Sequence, residues 1–211
     1  MTSHHPSAET LLDHASGALP AGLALVVSAH LDGCSACAET VRQLEAVGGA
    51  LMAELDPAAL AEGAFNQVLA RLDDPGPVAR TSASRPARNP LPEGMRLPQA
   101  LRGARIGPWR WVGRGIRFSR IRLPWAPDQM MMLLRVRGGR RVLHHSHGGA
   151  EFTQVLAGGF SDHTGHYQAG DFAEADDSCA HQPVADAEGC ICLAALEGGL
   201  RLPWLTRLLG Q

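Results

Sequence analysis

The segment GRRVLHHSHGGAEFTQVLAG, residues 139–158, constrains the chain more than any other stretch. On a β-strand residues i and i+2 face the same side, so His145 and His147 point together into the interior of a closed sheet, and His144 between them points outward. The sequence around this segment has the same texture. Short β-type runs (WRWV, IRFSRI, MMMLLRV, RRVLHHS, EFTQVLAGGF, a DF pair and CICLAAL) are separated by Gly, Pro and Asp, a punctuation that indicates an all-β sandwich or barrel. SDHTGHYQAG reads as a turn with His163 and His166 in solvent, and LPWLTRLLG as a short closing helix.

The first third of the chain is helical. Leu11, Leu12, Ala15 and Leu19 recur at helix spacing after Ser7 and Thr10; a Pro20–Ala21–Gly22 break follows, then Leu23, Val26, Val27, His30 and Leu31 on one face. Val41, Leu44, Val47, Leu51 and Leu55 define a longer third helix, weakened in its middle by Gly48 and Gly49. Pro57 opens a fourth at its first turn, with Leu60, Ala64, Val68 and Leu72 as its stripe. Four helices of this size need a staple to be stable.

HLDGCSAC, residues 30–37, offers one. His30 at a helix end and Cys34 and Cys37 around the following turn converge three donors on one point, and zinc takes four from thiolate and imidazole. The fourth comes from His4 or His5, just before the first helix; His5, nearer the ordered helix, is preferred. A thioredoxin-type redox role lacks the βαβ context that it requires. His14 reads as an ordinary helical residue and not a ligand.

Between these parts DDPGPVARTSASRPARNPLPEG is rich in Pro, Ser, Ala and Arg and has no periodicity, the composition of a linker. The expected division is a helical domain over 1–74, a Pro/Arg-rich linker over 75–94 and a β domain over 95–211. Charge divides likewise. Residues 1–74 hold two arginines against ten acids, residues 75–211 seventeen arginines against eleven acids, and lysine is absent. An acidic helical part argues against direct nucleic-acid binding there and suits a basic protein partner. Five cysteines do not form the pattern of a disulfide scaffold, MTSHHPS leads into no apolar signal region, and no apolar run reaches the length of a membrane span. The expected address is the cytoplasm, with no membrane contact.

Two resemblances follow from these residues. Gly139-x5-His145-x-His147-x3-Glu151-x6-Gly158 matches the first cupin motif, and Gly170-x10-His181 matches the glycine and histidine of the second. The match implies a cupin β-barrel in which Glu151 and His181 arrive from neighbouring strands and complete a metal set of three imidazoles and one carboxylate. Such a set suits zinc, iron, manganese, nickel or copper. The sequence departs from the second motif at Asp176, Ser178 and Ala185, which shape the turn and are not ligands. His30-x3-Cys34-x2-Cys37 with an upstream histidine, in LALVVSAHLDGCSACAETVRQLEAVGGALM, resembles the zinc-containing anti-sigma domain.

Together they resemble the ChrR-type anti-sigma factors over nearly the whole chain. The resemblance implies a two-domain α + β protein: a four-helix domain with structural zinc on His5, His30, Cys34 and Cys37, and a barrel with zinc or another divalent transition metal on His145, His147, Glu151 and His181. It implies inhibition of a group IV (ECF) sigma factor, with release under singlet oxygen or related oxidative stress. Exposed apolar positions on helices one, three and four are candidate contacts. The alternative is a metal-dependent cupin enzyme, of dioxygenase or isomerase type, with an accessory zinc module; a regulator, not an enzyme, is the expectation. Cys190 and Cys192 share a strand face and read as buried thiols; Cys179, two residues before His181, would share that ligand's face on a strand, with approach to the metal as the minor alternative. Trp109, Trp111, Trp125 and Trp204 read as packing or domain-contact residues, and Met130 to Met132 as a strand with buried alternate positions.

Overall fold

The structure is a computed structural model that describes residues 2–72, 91–92 and 95–201. The expected linker falls outside the described residues except at positions 91 and 92, and so do the expected closing helix and Trp204.

Four helices lead the described chain: α1 (Ala8–Ser16), α2 (Ala21–Leu31), α3 (Ser35–Ala53) and α4 (Ala64–Leu72). Ser7 caps α1, its Oγ accepting from the Thr10 amide at 3.1 Å, and Gly17 closes it in the left-handed conformation (φ 73°). Gly22 does not break the chain as expected; it lies inside the first turn of α2. Its amide donates to Gln129 Oε1 at 2.9 Å, and a Cβ there would stand 2.9 Å from the same oxygen, so glycine allows the helix to seat against the sheet. Gly48 and Gly49 are absorbed within α3. The fourth helix does not open at Pro57. Gly63 takes φ 76°, outside the right-handed helical region, and the helix starts after it, leaving Leu60 in an irregular, exposed stretch.

The rest is antiparallel sheet. Among the described residues the strands are β1 (Arg105–Ile106), β2 (Arg110–Gly113), β3 (Ile116–Leu123), β4 (Ala126–Val136), β5 (Ser146–His147), β6 (Glu151–Ser161), β7 (His166–Gln168), β8 (Phe172–Ala175), β9 (Val184–Leu196) and β10 (Leu200–Arg201). The main sheet runs β1-β3-β4-β9-β6-β7, with β2 on β3 and β8 on β6; β10 and β5 form a separate pair. Two expectations change here. RRVLHHS is not a continuous strand: it touches the sheet through isolated bridges at Arg141 and His145, and only its end enters β5. SDHTGHYQAG is not all turn, because His166–Gln168 pairs with β6 as β7.

Alternation assigns the two faces of the sheet. On β4, Met131 and Leu133 face the helices while Met130, Met132 and Leu134 line a cavity; on β9, Ile191, Leu193 and Ala195 face the helices and Cys190, Cys192, Ala194 and Leu196 the cavity. Strands covered on both sides read as continuous apolar runs, which explains CICLAAL. The β6–β9 register shifts around Gly158 (φ 64°), where a Cβ would lie 1.9 Å from the Gly189 carbonyl oxygen. Only glycine fits this bulge.

The helix-facing side is covered by α2, which lies against β4, β6 and β9. Leu23, Val26, Val27, Ala29 and His30 of α2 are buried, more of its surface than one stripe. They join Leu11, Cys34, Cys37 and Val41 to Ile121, Leu133, Phe152 and Phe172 in one core. Trp109 packs at the edge of that core, but Trp111 and Trp125 are exposed, and the Arg117 guanidinium lies 3.9 Å from the Trp111 ring centre. Those two indoles do not pack as expected: Trp111 faces outward from β2, and Trp125 stands in the turn between β3 and β4.

Candidate metal centres

The first centre sits where the N-terminal arm, the end of α2 and the start of α3 meet. One ligand atom each from His5, His30, Cys34 and Cys37 falls within 4.8 Å of the others. The α2 C-terminus turns through Asp32 and Gly33, both Gly33 and Cys34 amides bonding the His30 carbonyl at 3.0 Å, and this brings Cys34 under His30. Cys34 precedes α3, so Cys37 lies in its first turn. His5 Nδ1 is 3.3 Å from Cys37 Sγ and 3.5 Å from Cys34 Sγ. His4 does not join them; its Nδ1 faces Asp171 Oδ2 at 3.2 Å.

The donor set fits a metal on its own chemistry. His30 Nε2 is buried and finds no hydrogen-bond partner, while its Nδ1 lies 3.0 Å from Gln154 Oε1. Nδ1–H therefore donates to Gln154 and the Nε2 lone pair aims at the thiols, the orientation an imidazole ligand needs. Burial, reinforced by Cys34, pushes the Cys37 thiol up to about 12. A bound cation would supply the charge that holds the thiolate.

The second centre lies on the cavity face of the sheet. His145, His147, Glu151 and His181 again converge within 4.8 Å. The isolated bridge pairs His145 with His181 across the interior, His147 stands in β5, and Glu151 opens β6. Glu151 Oε2 is 2.9 Å from His147 Nε2, 3.5 Å from His181 Nε2 and 3.6 Å from His145 Nε2. Neither Glu151 Oε2 nor His147 Nε2 has a hydrogen-bond partner of normal geometry despite this crowding, as expected of donors aimed at a common point. Each imidazole is held from behind by an acceptor at Nδ1: the Leu143 carbonyl at 2.7 Å for His145, the Gly149 carbonyl at 3.1 Å for His147 and Asp162 Oδ2 at 3.1 Å for His181. All three Nε2 atoms are thereby presented inward.

The local electrostatics suit a cation. Burial alone would raise the Glu151 carboxyl; the three imidazoles overcome it and hold the group well below its ordinary value. Burial likewise opposes ionisation of Asp162, and bonds from His181 and Thr164 reverse it. The centre borders a cavity of about 290 Å³ walled by apolar side chains such as Phe118, Met132 and Val136. Cys190 and Cys192 are buried on its wall. Cys179 lines it too, half-buried and 3.8 Å from His163 Nε2, outside the four-donor group.

All eight ligand candidates lie in these two groups. His144, His163 and His166 are exposed, and His14 is half-buried on α1. The residues behind the ligands (Gln154, Asp162 and Asp171) carry no motif. One signal was available for Gln154, a polar side chain at a core-facing place in EFTQVLAGGF.

A family description, ChrR Cupin-like domain, matches residues 103–198. The anti-sigma-E factor ChrR of Cereibacter sphaeroides is 40% identical over 205 residues, spanning 94% of this chain and 91% of that protein. A crystal structure of Rhodobacter sphaeroides SigE in complex with the anti-sigma ChrR aligns at 37% identity with a TM-score of 0.72, covering 93% of this chain and 100% of the other.

Proposed function

The chain belongs to the ChrR-type anti-sigma factors, and from that premise we propose that its helical part, residues 1–74, holds a group IV (ECF) sigma factor away from core RNA polymerase. The protein is a regulator and not an enzyme. The observation that carries this reading is an apolar face that nothing in the described structure covers. Val47 and Leu51 of α3, Leu55 just beyond its end, and Phe65, Val68 and Leu72 of α4 are each more than half exposed. No residue of α4 is buried. A nine-residue helix with an uncovered apolar stripe has little stability by itself, and a partner that covers the stripe supplies the missing core.

The finer parts of the reading follow from the two centres. Zinc at His5, His30, Cys34 and Cys37 is a structural staple, since two thiolates and two imidazoles complete a tetrahedron and leave no open position. Residues 95–211 form a cupin barrel joined through the linker 75–94, with zinc or another divalent transition metal on His145, His147, Glu151 and His181. That domain answers singlet oxygen or related oxidative stress: oxidation within its cavity alters the sheet and loosens the hold on sigma. The site of action is the cytoplasm, and no single described helix is long and apolar enough to cross a membrane.

Titration calorimetry of the full chain with the cognate sigma factor tests the reading. Leu51→Asp together with Val68→Asp abolishes the complex, whereas Trp125→Ser, on the exposed sheet margin, leaves it intact. Undiminished binding by the double variant removes the face from the account. Failure of the native chain to bind removes the function for that sigma factor.

A further inference from the structure

Two of the four ligands in the helical centre are held by the sheet. His5 belongs to an arm that precedes α1, and the bonds of that arm run to the loop before β8 and to β8 itself. Asp171, 1% exposed, is the anchor. Its carboxylate accepts from the Ser3 amide at 2.7 Å, the His4 amide at 3.1 Å, Ser3 Oγ at 3.2 Å and the Gln168 amide at 2.9 Å, and faces His4 Nδ1 at 3.2 Å. The Phe172 amide donates to the His4 carbonyl at 3.0 Å, and Glu174 accepts from the Ser7 amide at 2.9 Å. The backbone on both sides of His5 is therefore fixed by residues 171–174. His30 is fixed from the sheet as well, through Gln154 on β6. These supports adjoin, because Gln154 pairs with Phe172 across the β6–β8 ladder, beside Asp171.

We propose that Asp171 and Gln154 are positioning residues for the helical metal centre, so that the sheet raises its affinity for metal. The inference rests on the reading of His5, His30, Cys34 and Cys37 as a metal site. Its physical basis is the role of groups behind metal ligands: Gln154 sets the tautomer and ring plane of His30, and Asp171 removes the freedom of the arm before metal arrives. The strand that supplies Gln154 begins with Glu151, the carboxylate of the second centre, and Glu151 and Gln154 project from opposite faces of β6. One strand thus serves both centres.

Cobalt(II) binding to the full chain tests this, since thiolate-to-cobalt absorption reports the helical centre alone; the second set contains no thiolate. Gln154→Leu and Asp171→Asn are each expected to weaken cobalt binding about 10- to 100-fold and to alter the ligand-field bands as an imidazole is lost. Gln154→Glu, which keeps an acceptor for His30 Nδ1, stays within a few-fold of the native chain. Near-ultraviolet dichroism and metal content of the second centre confirm that the fold is retained. Native affinity and native bands in both Gln154→Leu and Asp171→Asn overturn the positioning role. Absence of a thiolate–cobalt band in the native chain instead overturns the metal site, and the positioning role with it.

Discussion

His181 shows how one residue links structure to pH. Burial would lower its imidazole, but the hydrogen bond to Asp162 and the adjacent Glu151 carboxylate raise it from 6.5 to about 9 in the metal-free protein. A group raised in the folded state stabilises that state fully below its unfolded pKa and loses the contribution as pH climbs through the folded value. The melting temperature of chelator-stripped protein should accordingly fall between pH 6.5 and about 9, and Asp162→Asn should flatten that part of the profile; a native slope in the variant contradicts the assignment. Metal analysis gives a second test. Glu151→Gln should lose metal at the sheet centre and retain it at the helical centre, checked by metal content per chain, whereas loss of both would mean that the centres do not load separately. Most ligand candidates were legible in local spacing: His145, His147 and Glu151 follow closely on one another, and His30, Cys34 and Cys37 surround one turn. Their supports were not, because Asp162 lies 19 residues before His181, and Gln154 lies 124 residues after His30.

At the scale of elements, α2 and α4 make opposite cases. α2 is seated in the core through Leu23, 2% exposed, so Leu23→Ala should cost about 2–5 kcal/mol in denaturant unfolding. A cost under about 0.5 kcal/mol would mean that the helix–sheet junction contributes nothing. On α4 and late α3, Val68→Asp and Leu51→Asp should shift stability by no more than about 0.5 kcal/mol, as solvent-facing substitutions do, while sigma binding is lost. The periodicity of α1, α2 and α3 was plain in the sequence. It failed at the start of the fourth helix, where the conformation of Gly63 and not the apolar stripe sets the boundary. It failed again at RRVLHHS, where β-type composition met a segment needed to carry imidazoles across the interior in place of a paired strand.

The whole molecule was the least legible scale. Composition separates a helical part, a linker and a sheet part, but the packing of α2 against β4, β6 and β9 depends on two surfaces more than a hundred residues apart, and a one-stripe reading of α2 conceals its second buried side. The description ChrR Cupin-like domain for residues 103–198 and the likeness to an anti-sigma factor over 94% of the chain agree with the family resemblance read in the sequence. The helix–sheet contact makes the assembly more than two parts in series, since the sheet supports ligand candidates of the helical centre. The most direct test of the central claim is transcription in vitro by core RNA polymerase with the cognate sigma factor and the full chain. The account predicts strong suppression by the native protein, and none by the Leu51→Asp/Val68→Asp variant or by Cys34→Ser protein lacking metal at the helical centre. No suppression by the native chain, or suppression undiminished in both variants, would contradict it.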